Sequence, residues 1–86
     1  MKAITTVQQL KHEAKSNDGS FTDFYIVLNF GLRSSKRILY NEDTNTFDVH
    51  NEIDDSYQDD LTEEQLRNET HIIEAMEREA LYKYDF

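Results

Sequence analysis

Phe24-Tyr25-Ile26-Val27-Leu28-Asn29-Phe30-Gly31 is the one long apolar run in an otherwise polar chain. Its length, its β-branched and aromatic content and the closing Gly31 suit a buried strand better than a helix. Alternation puts Phe24, Ile26, Leu28 and Phe30 on one face and Tyr25, Val27, Asn29 and Gly31 on the other. The first set is the natural core face, since each fully buried side chain of this kind contributes about 1.5–3 kcal/mol before entropy is subtracted.

The residues that follow decide how this strand pairs. A second strand reads over Lys36-Arg37-Ile38-Leu39-Tyr40-Asn41. With Arg33-Ser34-Ser35 as a three-residue loop, Phe30 faces Ile38 and Leu28 faces Tyr40, which joins two apolar sets. With a two-residue loop the sets fall out of step. Gly31 then relieves the backbone or forms a bulge just before the loop. Turn chemistry at residues 41–45 leads into Thr46-Phe47-Asp48-Val49-His50-Asn51-Glu52-Ile53, with Phe47, Val49 and Ile53 on one face and Asp48, His50 and Glu52 on the other. A four-residue turn, 42–45, sets Tyr40 opposite Phe47 and Ile38 opposite Val49. The reverse face of this sheet, with Arg37, Leu39, Asp48, His50 and Glu52, suits water better than a second core.

Helices flank the strands. Residues 5–15 read as a helix whose apolar stripe is Ile4, Val7, Leu10 or Lys11, and Ala14, with Thr5 or Thr6 as cap and Gln8 or Gln9 as its reciprocal partner. Residues 16–20, with Gly19, stop it. Residues 54–60 read as an acidic connector. Thr62 caps a short helix with Gln65 as partner, and Glu63 and Glu64 favour its positive end. Residues 70–82 read as the last helix, with Ile72, Ile73, Met76, Ala80 and Tyr84 inward, Glu74 spaced to pair with Arg78 and Glu79 with Lys83, and an aromatic tail that docks. The expected class is α+β: a three-stranded antiparallel meander with an N-terminal helix and one or two C-terminal helices packed on one face, in a single domain over residues 1–86.

Composition narrows the setting. Eighty-six residues support one thin core. With no cysteine there is no disulfide or thiolate–metal framework, and a reducing, cytoplasmic setting is expected. The first ten residues lack the apolar core of a signal peptide, and no stretch approaches the ~20 apolar residues that span a bilayer, so no membrane partner is expected. Residues 1–41 hold six bases and three acids (+3), whereas residues 42–86 hold three bases and fifteen acids (−12), together the net −9. Such a field repels nucleic acid and anionic membranes and attracts basic partners; it also simply keeps a small protein in solution.

Leu28-Asn29-Phe30-Gly31-Leu32-Arg33-Ser34-Ser35-Lys36-Arg37-Ile38-Leu39-Tyr40, followed by Phe47-Asp48-Val49-His50-Asn51-Glu52-Ile53-Asp54-Asp55 and a terminal helix near Ile73-Glu74-Ala75, resembles small uncharacterised proteins of phages and prophages of Gram-positive bacteria. The likeness covers residues 24–82. It implies a setting and no assigned activity.

Two clusters are candidates for function. Glu52, Asp54, Asp55, Asp59, Asp60, Glu63 and Glu64 lie in a stretch with no base. They read as a contact for a basic host or phage protein, or as a mimic of duplex DNA, which carries one charge per ~1.7 Å. The plain alternative is a solvated surface. Spacing for Ca²⁺ is poor, because a glycine is missing from the sixth position of each candidate loop. Arg33, Ser34, Ser35, Lys36 and Arg37 form the second cluster. Three cations and two hydroxyls around a tight loop suit a small anion or nucleic acid; the plain alternative has the hydroxyls serving the turn and Arg37 paired with Asp48 or Glu52.

No cofactor or metal is implied. His12, His50 and His71 fall on separate elements without ligand spacing and read as surface histidines. Ser34 and Ser35 lack an identifiable base, so catalysis is not expected. The helix–strands–helix order also matches double-stranded-RNA-binding modules, but their basic helix start is missing. The expected function is a small acidic, non-enzymatic, phage-type accessory protein that binds another protein through its acidic C-terminal half, the alternative being the anion or nucleic-acid site at Arg33, Lys36 and Arg37. A third reading is self-association through the edge of the third strand.

Overall fold

The computed structural model describes residues 2–15 and 18–84. The stop at 16–20 and the docking of the tail fall partly on residues 16, 17, 85 and 86, and to that extent lie outside the described residues. In chain order the elements are α1 (Val7–Ala14), β1 (Thr22–Val27), β2 (Arg33–Asn41), β3 (Thr46–Asn51), β4 (Ser56–Leu61), α2 (Glu63–Glu69), α3 (Ile72–Glu77) and β5 (Leu81–Lys83). The class is α+β. The sheet is antiparallel throughout, in the order β4-β3-β2-β1-β5, so a meander of four strands is joined by a fifth that returns beside β1.

The caps follow from local chemistry. Thr6 accepts from the Gln9 backbone N–H while the Gln9 side chain accepts from the Thr6 N–H, and Thr62 and Gln65 repeat the arrangement on α2. The β2–β3 hairpin has the expected register, with Tyr40 opposite Phe47 and Ile38 opposite Val49. One buried cluster contains Phe24, Ile26, Ile38, Phe47, Val49, Leu61 and Leu81 from the strands together with Leu10, Ala14, Leu66, Ile72, Ile73, Ala75 and Met76 from the helices.

Four expectations are corrected. First, β1 stops at Val27, and Ile26 stands opposite Ser34 while Thr22 stands opposite Ile38. The pairing has moved by eight residues from the expected one. An even slip keeps every side chain on its own face, so Phe24 and Ile26 still point into the core. Leu28 and Phe30 do not, because Asn29 and Gly31 turn the chain early. Gly31 N–H donates to the Leu28 carbonyl at 2.9 Å with φ at +77°, and Leu28 N–H donates to the Leu32 carbonyl at 2.7 Å. Residues 33–35 are therefore strand, not loop. A three-stranded sheet had to cover all of residues 24–30 from β2; with β5 on the other flank, Leu81 and α3 cover Phe24 and Ile26 instead.

Second, the acidic connector is an edge strand. Asn51 faces Ser56 across a four-residue turn, 52–55, and the pairing continues to Leu61 opposite Phe47, with a bulge between. At the bulge Asp60 takes φ +55°, and its N–H donates to Asp48 Oδ1 at 2.9 Å. Ile53 leaves the core face for the turn. β3 is consequently covered on both sides, and the sheet edges are β4 and β5.

Third, the last helix ends at Glu77. Glu79 adopts φ +56°, its N–H donates to the Met76 carbonyl at 3.1 Å, and the Ala80 N–H donates to the Ala75 carbonyl at 2.8 Å. This is a Schellman closure with glutamate in the place glycine favours. The expected Glu74–Arg78 and Glu79–Lys83 pairs are replaced by Arg67 with Glu77 at 2.8 Å and Lys83 with Glu13 at 2.9 Å.

Fourth, the reverse face of the sheet is packed. Tyr25 is buried there, stacked on Tyr82 with centroids 5.3 Å apart, tilted against Tyr84 at 4.6 Å, and capped by the Arg33 guanidinium at 4.3 Å.

Candidate functional site

Residues 33–37 alternate across β2, which splits the basic cluster. Arg33, Ser35 and Arg37 share the reverse face with Tyr25, whereas Ser34 and Lys36 share the face of Ile38. Each is occupied. Arg33 lies over Tyr25, and Ser35 Oγ is 3.2 Å from the Tyr84 hydroxyl. Arg37 Nε is 3.1 Å from Asp23 and 3.6 Å from Glu52. Lys36 Nζ donates to Asn51 Oδ1 at 2.6 Å, and burial pushes its pKa below the ordinary lysine value, with Asp54 pulling the other way.

The acidic residues are spread over three elements. Glu52, Asp54 and Asp55 form the turn between β3 and β4, Asp59 and Asp60 sit at the β4 bulge, and Glu63 and Glu64 start α2. Asp54 accepts from the Ser56 hydroxyl at 2.7 Å and from its N–H at 3.1 Å, which holds the carboxyl below its usual pKa. Asp55 Oδ1 is 2.7 Å from His50 Nε2. His50 is not a surface histidine: it is 8% exposed, because Tyr57 stacks on it at 4.1 Å and 6°, and its Nδ1 has no partner.

The distribution of apolar exposure was missed from sequence. Phe30 is 88% exposed, Ile53 75% and Leu32 63%, and Leu28 and Tyr57 are also exposed. All five belong to two hairpins, β1–β2 and β3–β4, whose connections emerge at the same end of the sheet, as the antiparallel order requires. Strand alternation directs Phe30 inward, and its place beside Gly31 in a turn is the signal that it points out.

Beside this tip lies a hollow of about 410 Å³ lined by Ile26, Leu28, Asn29, Phe30, Ser34, Lys36, His71, Glu74 and Arg78. Lys36 ties the hollow to the acidic turn through Asn51. A larger groove of about 590 Å³ runs between the start of α1 and β5, and two of its lining residues, Lys83 and Glu13, already pair with each other. Among the described residues no three His, Asp or Glu side chains converge as metal ligands, and no helix is long and apolar enough to cross a membrane.

Comparison with protein-family models, curated proteins and solved structures returns no match to this chain.

Proposed function

We propose that the protein is a non-enzymatic binding module that docks on another protein through the apolar end of its sheet. One observation carries this: Leu28, Phe30, Leu32, Ile53 and Tyr57, the exposed large apolar side chains among the described residues, all come from the two hairpins at that end. Scattered singly they would mean nothing; gathered at one end they mark an interaction surface. Residues of all three helices share one buried cluster with Phe24, Ile38 and Val49, whereas the hairpin side chains at this end stay exposed.

Glu52, Asp54 and Asp55 give the apolar end an acidic flank, and Asp59, Asp60, Glu63 and Glu64 continue the negative surface along β4 to α2. In this reading the acids steer and orient, and the apolar side chains hold.

Photo-crosslinking residues placed at positions 30 and 53, compared with positions 8 and 43, test the proposal in cells. Protein adducts at 30 and 53, absent at 8 and 43, support it. Equal labelling at all four positions, or none, overturns it.

A further inference from the structure

We infer that the outer edge of β4 takes an added strand from a partner, an extended basic segment with arginine or lysine at alternate positions. The inference goes beyond the apolar end and stands on different observations.

The sheet treats its two edges differently. At β5 the N-terminal segment lies alongside: Ala3 bridges to Tyr82, and the Ile4 N–H donates to the Leu81 carbonyl at 2.8 Å. β4 pairs with β3 and, among the described residues, with no further strand, and no backbone–backbone hydrogen bond leaves its outer side. Along a strand the N–H and C=O groups of successive residues point to opposite flanks, so half of those on β4 face away from β3. Such a row is a template for one more strand, held by main-chain hydrogen bonds. The regular pairing runs only from Ser56 to Gln58 before the bulge, so side chains must add to what so short a ladder supplies.

Those side chains choose the occupant. The carboxylates of Asp59 and Asp60 are exposed and have no cation within ion-pair distance among the described residues; the same is true of Asp48 beside the bulge and of Glu63 and Glu64 just beyond it. The acids of the 52–55 turn are different, since Glu52 meets Arg37, Asp54 holds Ser56 and Asp55 meets His50. Tyr57 stands opposite His50, and alternation puts Asp59 on the same face of the sheet. Tyr57 stacks on His50 yet stays 59% exposed, which leaves ring surface for an entering guanidinium. On the helix side of β4, Gln58 is already taken up by the Glu69 carbonyl and the Asn51 side chain. The basic side chains of the incoming segment therefore belong on the Tyr57 face, one residue in two.

Charge also decides against other occupants. A second copy brings the same unpaired carboxylates and the same net −9, and nucleic acid and anionic lipid meet the same field. Acidic side chains and a bulge on an edge strand guard against pairing between copies. That guard selects by charge and leaves the edge open to a basic strand.

The probe is a blocked synthetic peptide of about six residues alternating threonine with arginine, long enough to lie along β4. It is titrated at an ionic strength of about 0.01 M, where surface charges are little screened. Amide shifts are expected to concentrate on residues 56–60, and a glutamate-for-arginine peptide is expected not to bind. Methylating the peptide nitrogens at every second position removes N–H donors and keeps the charge. One such series is expected to weaken binding by about tenfold or more and the other, whose N–H groups point outward, by less than about twofold. Asp59→Lys is expected to weaken binding by about tenfold or more at an unchanged unfolding midpoint.

Equal effects of the two methylated series overturn the inference, because charge alone then holds the peptide. So does an arginine peptide that does not bind, or one that binds Asp59→Lys as well as the wild type. Shifts at residues 28–32 in place of 56–60 overturn it and leave the apolar end as the docking surface. A free protein heavier than 10.2 kDa with protected β4 amides overturns it as well, since a second copy then fills the edge.

Discussion

The two ends of the sheet hold turns of the same build and opposite use. Residues 42–45 and 52–55 are both four-residue connections; each begins with glutamate and ends in a left-handed residue, Asn45 at φ +55° and Asp55 at φ +56°. Both are tied down by side chains. At 42–45 the Tyr40 hydroxyl donates to Asn45 Oδ1 at 2.6 Å, and Glu42 pairs with Lys15. At 52–55 Asp54 holds Ser56, and Asp55 meets His50. Of the three positions at which they differ, only the second changes from polar to apolar, Asp43 in one and Ile53 in the other. The polar version shows that the turn needs no apolar residue there, so the exposure of Ile53 has no account within the fold. The same holds for Phe30, whose loop is closed by backbone hydrogen bonds and Gly31.

The sharpest way to break this comparison is to truncate one phenylalanine on each side of it. Phe47 is fully buried opposite Tyr40, and Phe47→Ala is expected to cost about 3–5 kcal/mol in urea unfolding. Phe30→Ala is expected to stay within about 0.5 kcal/mol of the wild type. If Phe30→Ala cost more than about 1 kcal/mol, the loop would be part of the fold and not a spare surface.

A smaller effect comes from the polar end, where α2 begins. Thr62→Ala removes the acceptor for the Gln65 N–H and is expected to cost about 1 kcal/mol by the same unfolding measurement. Thr62→Ser keeps the oxygen and should restore most of it.

These two cases also show where sequence was sufficient. Caps are read within four residues: Thr62–Gln65 follows directly from the sequence, and Thr6–Gln9 is one of the two choices it leaves at the first helix. The β2–β3 register was equally legible, because both strands alternate and a polar turn separates them. Ile38, Val49, Ile73 and Met76 were placed together for the same reason. β4 was not legible: Ser56, Gln58 and the acids between them look like a connector, and only pairing with β3 makes them a strand. β5 hid behind helical periodicity that runs on through Leu81, with glutamate where a glycine would have marked the stop. Without β5, the run at 24–31 finds all its partners on β2, and alternation alone turns the apolar tip inward. The site was lost through that one missing strand.

The disguised stop offers the next prediction. Of the left-handed residues other than glycine, Asn45, Asp55 and Asp60 are types that tolerate the conformation, and Glu79 is not. Glu79→Gly is expected to raise stability by about 0.5–1 kcal/mol, while Glu79→Ala should gain nothing. A loss of stability in Glu79→Gly would mean that the glutamate side chain, and not the backbone, holds the turn into β5.

The finest distinction between the two turns is in their response to acid. In the 42–45 turn the Asp43 N–H donates to the Asn41 amide oxygen and the Tyr40 hydroxyl to that of Asn45, acceptors that do not titrate, while the Glu42–Lys15 pair lies outside these two bonds. The 52–55 turn is closed by the Asp54 carboxylate, whose pKa is held below its ordinary value by the Ser56 hydroxyl and N–H. A carboxyl depressed in the folded state binds its proton more readily in the unfolded chain. Its contribution is therefore present above the unfolded pKa and lost as pH falls through the folded one. Carboxyl-detected NMR should show Asp54 titrating below the normal aspartate range. The Ser56 amide proton should lose protection over the same interval, while the Asp43 amide keeps its own. Asp54→Asn should abolish that difference between the turns. If both amides lose protection together in the wild type, the acid response belongs to the whole sheet, and the carboxylate does not set the apolar end apart.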